Sequence, residues 1–248
     1  MHHKRLMGIS VGKRSLPELL AACDSAIEQK QGSFIFACAN PHSLVLARRD
    51  PLFFAALDQA SAVVADGMGC TIAGSLAGIP VGPRITGSDF FAGVMGQLNR
   101  RRGRVFFFGS RPQVLDLLSA RVLINFPNVE FKCHSPPYRE WSETENEAML
   151  AEIREFKPDV LWVGMTAPKQ EKWVAANALK LNVPVIGSIG AVFDYYAGTV
   201  RRAPPWVCDL GLEWLYRLPR EWRRLWKRTL VSAPLFLWYV LADRVRSR

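Results

Sequence analysis

The chain lacks the cysteine patterns that define disulfide-rich domains and zinc-binding modules. It contains five cysteines, widely scattered and without a CxxC pair, so neither a disulfide framework nor a structural zinc site is expected. Residues 1–12 contain no apolar run of signal-peptide length. This absence predicts a protein of the reducing cytosol.

Long apolar segments are also scarce. The strongest run, Leu230 to Ala242, includes Pro234 and has thirteen residues, whereas a helix needs about 20 apolar residues to cross a bilayer. Disorder is excluded for most of the chain, because 49% of the residues are hydrophobic and can offset the entropy of ordering. The 248 residues therefore predict one globular domain, with room for an appendage.

Three common signatures of nucleotide and metal sites are absent. The chain has neither GxGxxG nor GxxxxGK[ST], the glycine-rich loops of dinucleotide-binding and P-loop proteins, which disfavours a nucleotide-dependent oxidoreductase. None of the ten aspartates forms a D-x-D pair, the usual holder of a divalent ion under a sugar-nucleotide diphosphate. If a diphosphate binds here, arginine must replace the metal, because a guanidinium forms two parallel hydrogen bonds with phosphate oxygens.

Positive charge is abundant, and most of the excess lies near the C-terminus. The chain has 32 Lys and Arg against 22 Asp and Glu, a net charge of +10. Residues 201–248 contain eleven basic and four acidic residues, which supply +7 of that excess, and five of the eight tryptophans. We therefore expect two units, 1–200 and 201–248, and an anionic partner such as nucleic acid, a phosphorylated substrate or an acidic membrane.

The basic, Trp-rich segment has more than one interpretation. Trp favours the headgroup region of a membrane, and each Lys or Arg near an anionic surface contributes about 1 kcal/mol, so the 230–242 run would lie in the interface. An amphipathic stretch of this kind also suits a contact between copies of the chain in a homo-oligomer. A nucleic-acid-binding module is disfavoured, because residues 1–200 carry only +3 and contain no recognised nucleic-acid motif.

Short apolar runs alternate with helical patterns, which predicts an α/β fold: a mainly parallel sheet with helices on both faces. The predicted strands are Phe34–Cys38, Ala62–Ala65, Val105–Phe108, Val160–Val163 and Pro184–Gly187. The predicted helices are Pro41–Gln59, Met68–Ala77, Ser88–Arg101, Pro112–Asn125, Ser142–Phe156 and Pro168–Leu181. Ser142 with Glu145 forms a capping box.

Polar residues and glycines follow these strands, at the edge of the sheet where ligands of such folds bind. Asp66 comes directly after a predicted strand, which suits a general base, although an aspartate there could also simply cap the next helix. Gly109-Ser110 and Gly187-Ser188-Ile-Gly190 could each direct backbone N–H groups towards a phosphate. The strand ends therefore indicate a nucleotide site.

Seven motifs in order along nearly the whole chain resemble the WecG/TagA/CpsF family of bacterial glycosyltransferases. They are Asn40-Pro41, Ala65-Asp-Gly-Met-Gly69, Arg84-Ile-Thr-Gly-Ser-Asp89, Pro168-Lys-Gln-Glu171, Gly190-Ala-Val-Phe-Asp-Tyr-Tyr-Ala-Gly198, Arg202-Ala-Pro204 and Gly211-Leu-Glu-Trp-Leu-Tyr-Arg-Leu218. The resemblance implies a Rossmann-like catalytic domain over residues 1–200 and a membrane-associating C-terminal appendage over 201–248.

The resemblance also implies an activity. Enzymes of this family transfer a sugar from a UDP-sugar to a polyprenyl-diphosphate-linked saccharide, with inversion and without a metal or other cofactor, as peripheral proteins on the cytoplasmic face of the inner membrane. The donor sugars of relatives include N-acetylmannosamine, its uronic acid and glucose. The implied partners are therefore a UDP-sugar, a lipid-linked acceptor and an anionic membrane surface, and not nucleic acid.

Carried over by motif, the resemblance assigns roles to particular residues. Asp66 is the implied catalytic base, and Arg84 and Gln170 complete the implied catalytic set. Arg84, Arg217 and Arg224 would offset charge on the UDP leaving group. The expected substrate-binding residues are Cys38, Asn40, Gly67, Gly109, Ser110, Gly187, Gly190, Phe193, Asp194, Arg217 and Arg224. Cys38 replaces a threonine common in relatives, and because a thiol is a weaker hydrogen-bonding group, donor recognition is expected to differ.

Overall fold

A computed structural model describes residues 5–201, 203–204, 207, 215–216 and 231–246. In this part of the chain six parallel strands form one sheet in the order β2-β1-β6-β5-β3-β4. The strands are β1 (Phe34–Ala39), β2 (Ala62–Ala65), β3 (Arg104–Gly109), β4 (Glu130–His134), β5 (Val160–Gly164) and β6 (Val185–Ser188). The predicted α/β class is confirmed.

Helices cover both faces of this sheet. They are α1 (Leu16–Gln29), α2 (Pro41–Ala47), α3 (Pro51–Asp58), α4 (Met68–Ala77), α5 (Gly87–Arg101), α6 (Pro112–Asn125), α7 (Glu143–Phe156), α8 (Lys169–Leu181), α9 (Val192–Ala197) and α10 (Ala233–Arg246). The predicted capping box is present at α7, where Glu145 N–H donates to Ser142 Oγ and Ser142 N–H donates to Glu145 Oε2. The predicted alternation of strands and helices is thus found from β1 to β6.

Successive side chains of each central strand enter different cores, because strand side chains alternate between the two faces. In β3, Phe107 packs in the cluster formed with α1, α5, α6 and α9, whereas Phe106 and Phe108 pack against α7 and α8. Trp162 of β5 is fully buried and packs edge-on against Phe90 at 5.7 Å between ring centroids. The central strands are therefore apolar throughout, as in other sheets covered on both faces.

The connections of neighbouring strands open a crevice at the carboxyl edge of the sheet. β1 leads into α2, which packs with Ala37 and Ala39 on one face. Its neighbour β6 leads into α9, which packs on the opposite face. Chains that leave adjacent strands in opposite directions leave space between them, and ligands of open α/β sheets bind in that space.

The prediction of one helix over Pro41–Gln59 is wrong, because the chain forms α2 and α3 instead. Asp50 caps the second helix, accepting a hydrogen bond from Phe53 N–H at 3.1 Å. Pro51 occupies its first turn, where a missing N–H costs nothing, whereas inside a continuous helix the same proline would remove a hydrogen bond.

Residues 233–242 of the apolar run near the C-terminus lie in α10, which packs on the domain by one face. Phe236 and Val240 are buried among residues of α2 and α4. Arg48, at the C-cap of α2, donates to both oxygens of Asp243, at 2.7 and 3.2 Å, and its guanidinium lies 4.4 Å from the ring centre of Tyr239. Within the residues described, no helix is both long and apolar enough to cross a bilayer.

Candidate active site

A cavity of about 990 Å³ lies at the carboxyl edge of the sheet, where the connections diverge. Loops after β1, β2, β3, β4, β5 and β6 contribute to its wall. Seven of the residues expected at a site line it together: Cys38, Asn40, Asp66, Ser110, Gln170, Gly190 and Asp194. Its size is at the upper end of the range for ligand pockets, so it has room for a large substrate.

Asp66 lies on this wall directly after β2. Its backbone N–H donates to Ala39 O at 2.8 Å, a bond that continues the β1–β2 ladder and fixes where the side chain leaves the sheet. The side chain is half-buried and lines the cavity. Gly67, not Asp66, is the residue at the N-cap of α4.

Asn40 and Cys38 hold the neighbouring part of the wall, at the end of β1. Asn40 caps α2, since its side-chain oxygen accepts from Ser43 N–H at 3.0 Å. Burial, followed by the nearby carboxylates of Asp66, Glu171 and Asp89, raises the pKa of the Cys38 thiol well above its usual range. The thiol is therefore neutral, and two of these acidic residues, Asp66 and Glu171, line the cavity with it.

Gln170 and Glu171 form a buried polar pair at the start of α8. Their exposed fractions are 4% and 5%, and Gln170 Nε2 donates to Glu171 Oε1 at 2.8 Å. Gln170 Oε1 accepts from Met165 N–H at 3.2 Å. Burial raises the pKa of Glu171 to about 7, against a smaller lowering by the hydrogen bond from Gln170. Glu171 is thus a carboxyl group that changes charge near neutral pH.

Of the four glycines predicted to bind substrate, Gly190 lines the cavity. Gly109 has φ +117°, and a Cβ there would lie 2.6 Å from Gly164 O, so only glycine lets β3 and β5 approach at their carboxyl ends. Gly190 lies against the side-chain amide of Gln170: a Cβ at position 190 would be 3.6 Å from both Nε2 and Oε1 of that amide. Gly187 lies under the Trp162 indole and is outside the cavity wall, as are Gly67 and Gly109.

Phe193 and Asp194 take opposite directions from α9. Phe193 is fully buried in the core, 5.7 Å from Phe107 between ring centroids, and does not line the cavity. Asp194 lines it and accepts a hydrogen bond from Thr199 Oγ1 at 3.3 Å. Of this adjacent pair, Asp194 is therefore the residue in position to meet a ligand.

Of the three predicted arginines, only Arg84 lies in the part of the chain that the structure describes. Arg84 is half-buried on the loop before α5 and is not among the lining residues, although Thr86 of the same loop and the first two residues of α5, Gly87 and Ser88, are. Arg217 and Arg224 lie outside the described residues. Their roles stay predictions.

Several lining residues were not predicted to be functional, and three of them are cationic. Arg111 and Arg139 line the cavity, as does Lys169, whose ammonium lies 4.1 Å from the ring centre of Trp141. Arg139 is paired with Glu145, at 2.9 Å from Nη1 to Oε2. These cations line the same cavity as the carboxylates of Asp66 and Asp194, which suits a ligand that carries phosphate.

His42 is a further lining residue without a sequence signal. It lies on α2 and faces the cavity, and its Nδ1 lies 2.8 Å from Ser232 Oγ, just before α10. This contact connects the cavity wall to the C-terminal helix. In the described ranges no three His, Cys, Asp or Glu side chains cluster as metal ligands would.

Comparison with known proteins identifies the family to which this fold and cavity belong. The sequence model of the glycosyl transferase WecG/TagA/CpsF family matches residues 4–248. This chain belongs to that family. Membership of the WecG/TagA/CpsF family makes the protein a glycosyltransferase, and more narrowly a hexosyltransferase. The cavity is accordingly the candidate site of sugar transfer.

Curated relatives within the WecG/TagA/CpsF family carry one name, N-acetylglucosaminyldiphosphoundecaprenol N-acetyl-beta-D-mannosaminyltransferase. The Bacillus subtilis (strain 168) protein is 30% identical over 219 residues, which cover 88% of this chain and 82% of the relative. The Bacillus spizizenii protein is 30% identical over 218 residues, 87% and 81% of the two chains. The Staphylococcus aureus (strain MW2) protein is 28% identical over 212 residues, 86% and 81%.

Proposed function

We propose that this protein transfers N-acetylmannosamine from UDP-N-acetylmannosamine to N-acetylglucosaminyl-diphosphoundecaprenol, and that the product is a β-linked disaccharide on the lipid carrier. The observation that carries the proposal is the similarity, over more than four fifths of both chains, to transferases whose names specify this sugar and this acceptor. The cavity supports it, because carboxylates and cations face the same space at the expected edge of the sheet.

In the proposed reaction Asp66 acts as general base. Its carboxylate takes the proton of the acceptor hydroxyl while that oxygen attacks the anomeric carbon. The bond from that carbon to the diphosphate breaks as the new bond forms, and UDP leaves with the bonding electrons. A single displacement of this kind inverts the anomeric centre and needs no protein nucleophile.

Positive side chains would stabilise the leaving group. Negative charge develops on the UDP diphosphate as the bond breaks, and donors fixed beforehand around it lower the barrier. Arg84, Arg217 and Arg224 are the proposed donors from the family motifs, and Arg111 and Lys169 are cavity-lining cations of the described chain. We propose on this basis that the reaction proceeds without a divalent metal.

A transfer assay tests this proposal directly. We expect purified full-length protein to convert UDP-N-acetylmannosamine and a short-chain N-acetylglucosaminyl-diphospho-lipid to a β-linked product, with the same rate in excess EDTA. UDP-glucose and the uronic acid donor should be used at least about tenfold less well, the discrimination that loss of one or two good hydrogen bonds gives. Faster turnover of another UDP-sugar would contradict the donor, and strict dependence on Mg²⁺ or Mn²⁺ would contradict the metal-free mechanism.

We further propose that α10 holds the enzyme on the cytoplasmic membrane face, where a lipid-linked acceptor resides. Its outer side exposes Leu237, Trp238 and Leu241, whose exposed fractions are 43, 61 and 51%. α4 contacts α10 and also exposes two apolar side chains, Ile72 and Leu76. The +7 charge of residues 201–248 favours an anionic surface as the partner. In this arrangement 1–200 is the catalytic domain and 201–248 the membrane-associating appendage.

Sedimentation with anionic vesicles tests the membrane proposal. The triple variant L237S/W238S/L241S should bind phosphatidylglycerol-containing vesicles about tenfold more weakly or worse, because three large apolar side chains lose their burial in the interface. The matched control is L123S/I124S on α6, which removes side chains that are 62 and 77% exposed at a different place in the fold. Equal loss of binding in both variants, or no loss in the triple variant, would contradict a role for α10.

A further inference from the structure

The side-chain amide of Gln170 is held from both ends. Its Oε1 accepts from Met165 N–H, and its Nε2 donates to Glu171 Oε1. Rotation of the amide by 180° would place its NH₂ against the Met165 N–H and its oxygen against the Glu171 carboxyl oxygen, so both contacts would become repulsive. Glu171 and the Met165 backbone together therefore specify one orientation of the amide.

The remaining hydrogen-bonding groups of Gln170 are available to a ligand. An amide has two N–H donors and an oxygen with two lone pairs, and one of each is used in these internal bonds. Gln170 lines the main cavity, and Gly190 has no side chain to cover the amide. The direction in which Gln170 donates into the cavity is consequently fixed by the group that receives its other N–H.

The burial of the Glu171 carboxyl group is energetically unfavourable if the residue has a structural role alone. Its side chain is 5% exposed, and its Oε2 has no hydrogen-bond partner among the described residues. The Ser188 hydroxyl is also buried and has no hydrogen-bond partner among the described residues. Both residues lie between the main cavity and a second cavity of about 230 Å³ that is bordered by α3 and α8. Burial of a half-satisfied carboxyl costs free energy, which indicates that the group is retained for function.

We propose that Glu171 is a positioning residue, which fixes the side-chain amide of Gln170 so that its free N–H points at the sugar substrate. The proposal deepens the proposed function and rests on it, since Gln170 belongs to the catalytic set that the family resemblance implies and lines the cavity proposed for sugar transfer. Glu171 does not itself need to touch the substrate or change its charge. When protonated on Oε2, it still offers Oε1 as an acceptor, so the amide keeps its orientation in both states of the carboxyl.

A double-mutant cycle with a conservative rescue tests the proposal in the full-length enzyme. E171M removes the acceptor and should lower kcat/KM at least about tenfold, because misplacement of a substrate-positioning group by about 1 Å costs up to about 100-fold. E171Q retains an oxygen where Oε1 lies and should stay within about threefold of wild type. Q170L and the double variant E171M/Q170L should be equally impaired, because Glu171 acts only through Gln170.

Separate measurement of kcat and KM distinguishes a loss of positioning from a loss of folding. E171M should change the same kinetic parameter as Q170L, and its thermal unfolding midpoint should show that it is folded. N177A is the matched control. Asn177 is buried on the same helix, donates to Trp173 O at 2.8 Å and lies outside both cavities. The kcat and KM of this variant should equal those of wild type. Multiplicative losses in the double variant, or E171Q as impaired as E171M, would overturn the proposal.

The donor used in this cycle is the UDP-sugar that wild type turns over fastest. If the proposed donor is wrong, the donor preference of the wild-type enzyme will show it. If the proposed role of Glu171 is wrong, only the comparison of the variants will show it.

Discussion

Asp66→Asn is expected to lower sugar transfer by about 10²–10⁴-fold, the usual contribution of a general base. Asparagine has nearly the same shape but does not accept the proton of the acceptor hydroxyl. The backbone bond from residue 66 to Ala39 O does not involve the side chain, so β2 and the cavity should be retained. The measurements are kcat for transfer and the affinity for UDP by calorimetry, which should change less than about threefold.

Asp89→Asn is the matched control for the loss of a carboxylate near this wall. Asp89 also lies within the electrostatic environment of Cys38, but its carboxylate accepts from Thr86 N–H at 3.0 Å to cap α5 and does not line the cavity. This variant should keep turnover within a few fold, at some cost in thermal stability. Turnover of Asp66→Asn close to that of Asp89→Asn would remove Asp66 as the base.

The central strands could be predicted from the sequence because they are buried on both faces, which makes them continuous apolar runs. β4 was not among the predicted strands, and its sequence Glu130-Phe-Lys-Cys-His134 explains this. It is the last strand at one edge of the sheet, is only partly buried, and alternates polar with apolar residues. α1 was also missed, although Ser15 and Glu18 form a capping box at its start that the sequence displays.

Convergence of the site was predictable to the extent that it follows from strand ends. Asn40, Asp66, Ser110 and Gln170 come after different strands, and parallel strands bring their carboxyl ends to one edge. Whether a residue after a strand faces the cavity or the core depends on the direction of the following connection. Within one connection it also depends on the face of the helix: Phe193 lies in the core and Asp194 lines the cavity, although both belong to α9 and to the same motif.

No comparable rule predicts which residues of the helices line the cavity. His42 is the second residue of α2 and lines the cavity, which depends on the face of that helix on which it lies. Glu171 stands in the Pro168-Lys-Gln-Glu171 motif, but its hydrogen bond to Gln170 and its burial depend on how α8 packs against β5 and β6. Side-chain environment of this kind is set by tertiary packing, which a single sequence does not display.

The burial of Glu171 has a large expected effect on stability as a function of pH. The pKa of this carboxyl is about 7 in the folded protein, raised from an ordinary value of 4.5 by burial. Between those pH values the folded chain holds a proton that the unfolded chain has released, so the free energy of unfolding falls as pH rises. The contribution is fully present below about pH 4.5 and lost by about pH 7, a change of about 3 kcal/mol at 1.36 kcal/mol per pKa unit.

Urea unfolding of wild type and Glu171→Gln across this range measures the effect. The glutamine does not titrate, so the free energy of unfolding of the variant should rise relative to wild type by about 3 kcal/mol between pH 4.5 and pH 7.5. Glu145→Gln is the control of opposite sign: Arg139 lowers the pKa of Glu145 to about 2, so its contribution is lost only as pH falls towards that value and is constant over the measured range. A constant difference between wild type and Glu171→Gln would mean that Glu171 titrates in the folded protein as it does in the unfolded chain. The buried carboxyl beside Gln170 would then have to be solvated, through the second cavity that borders it.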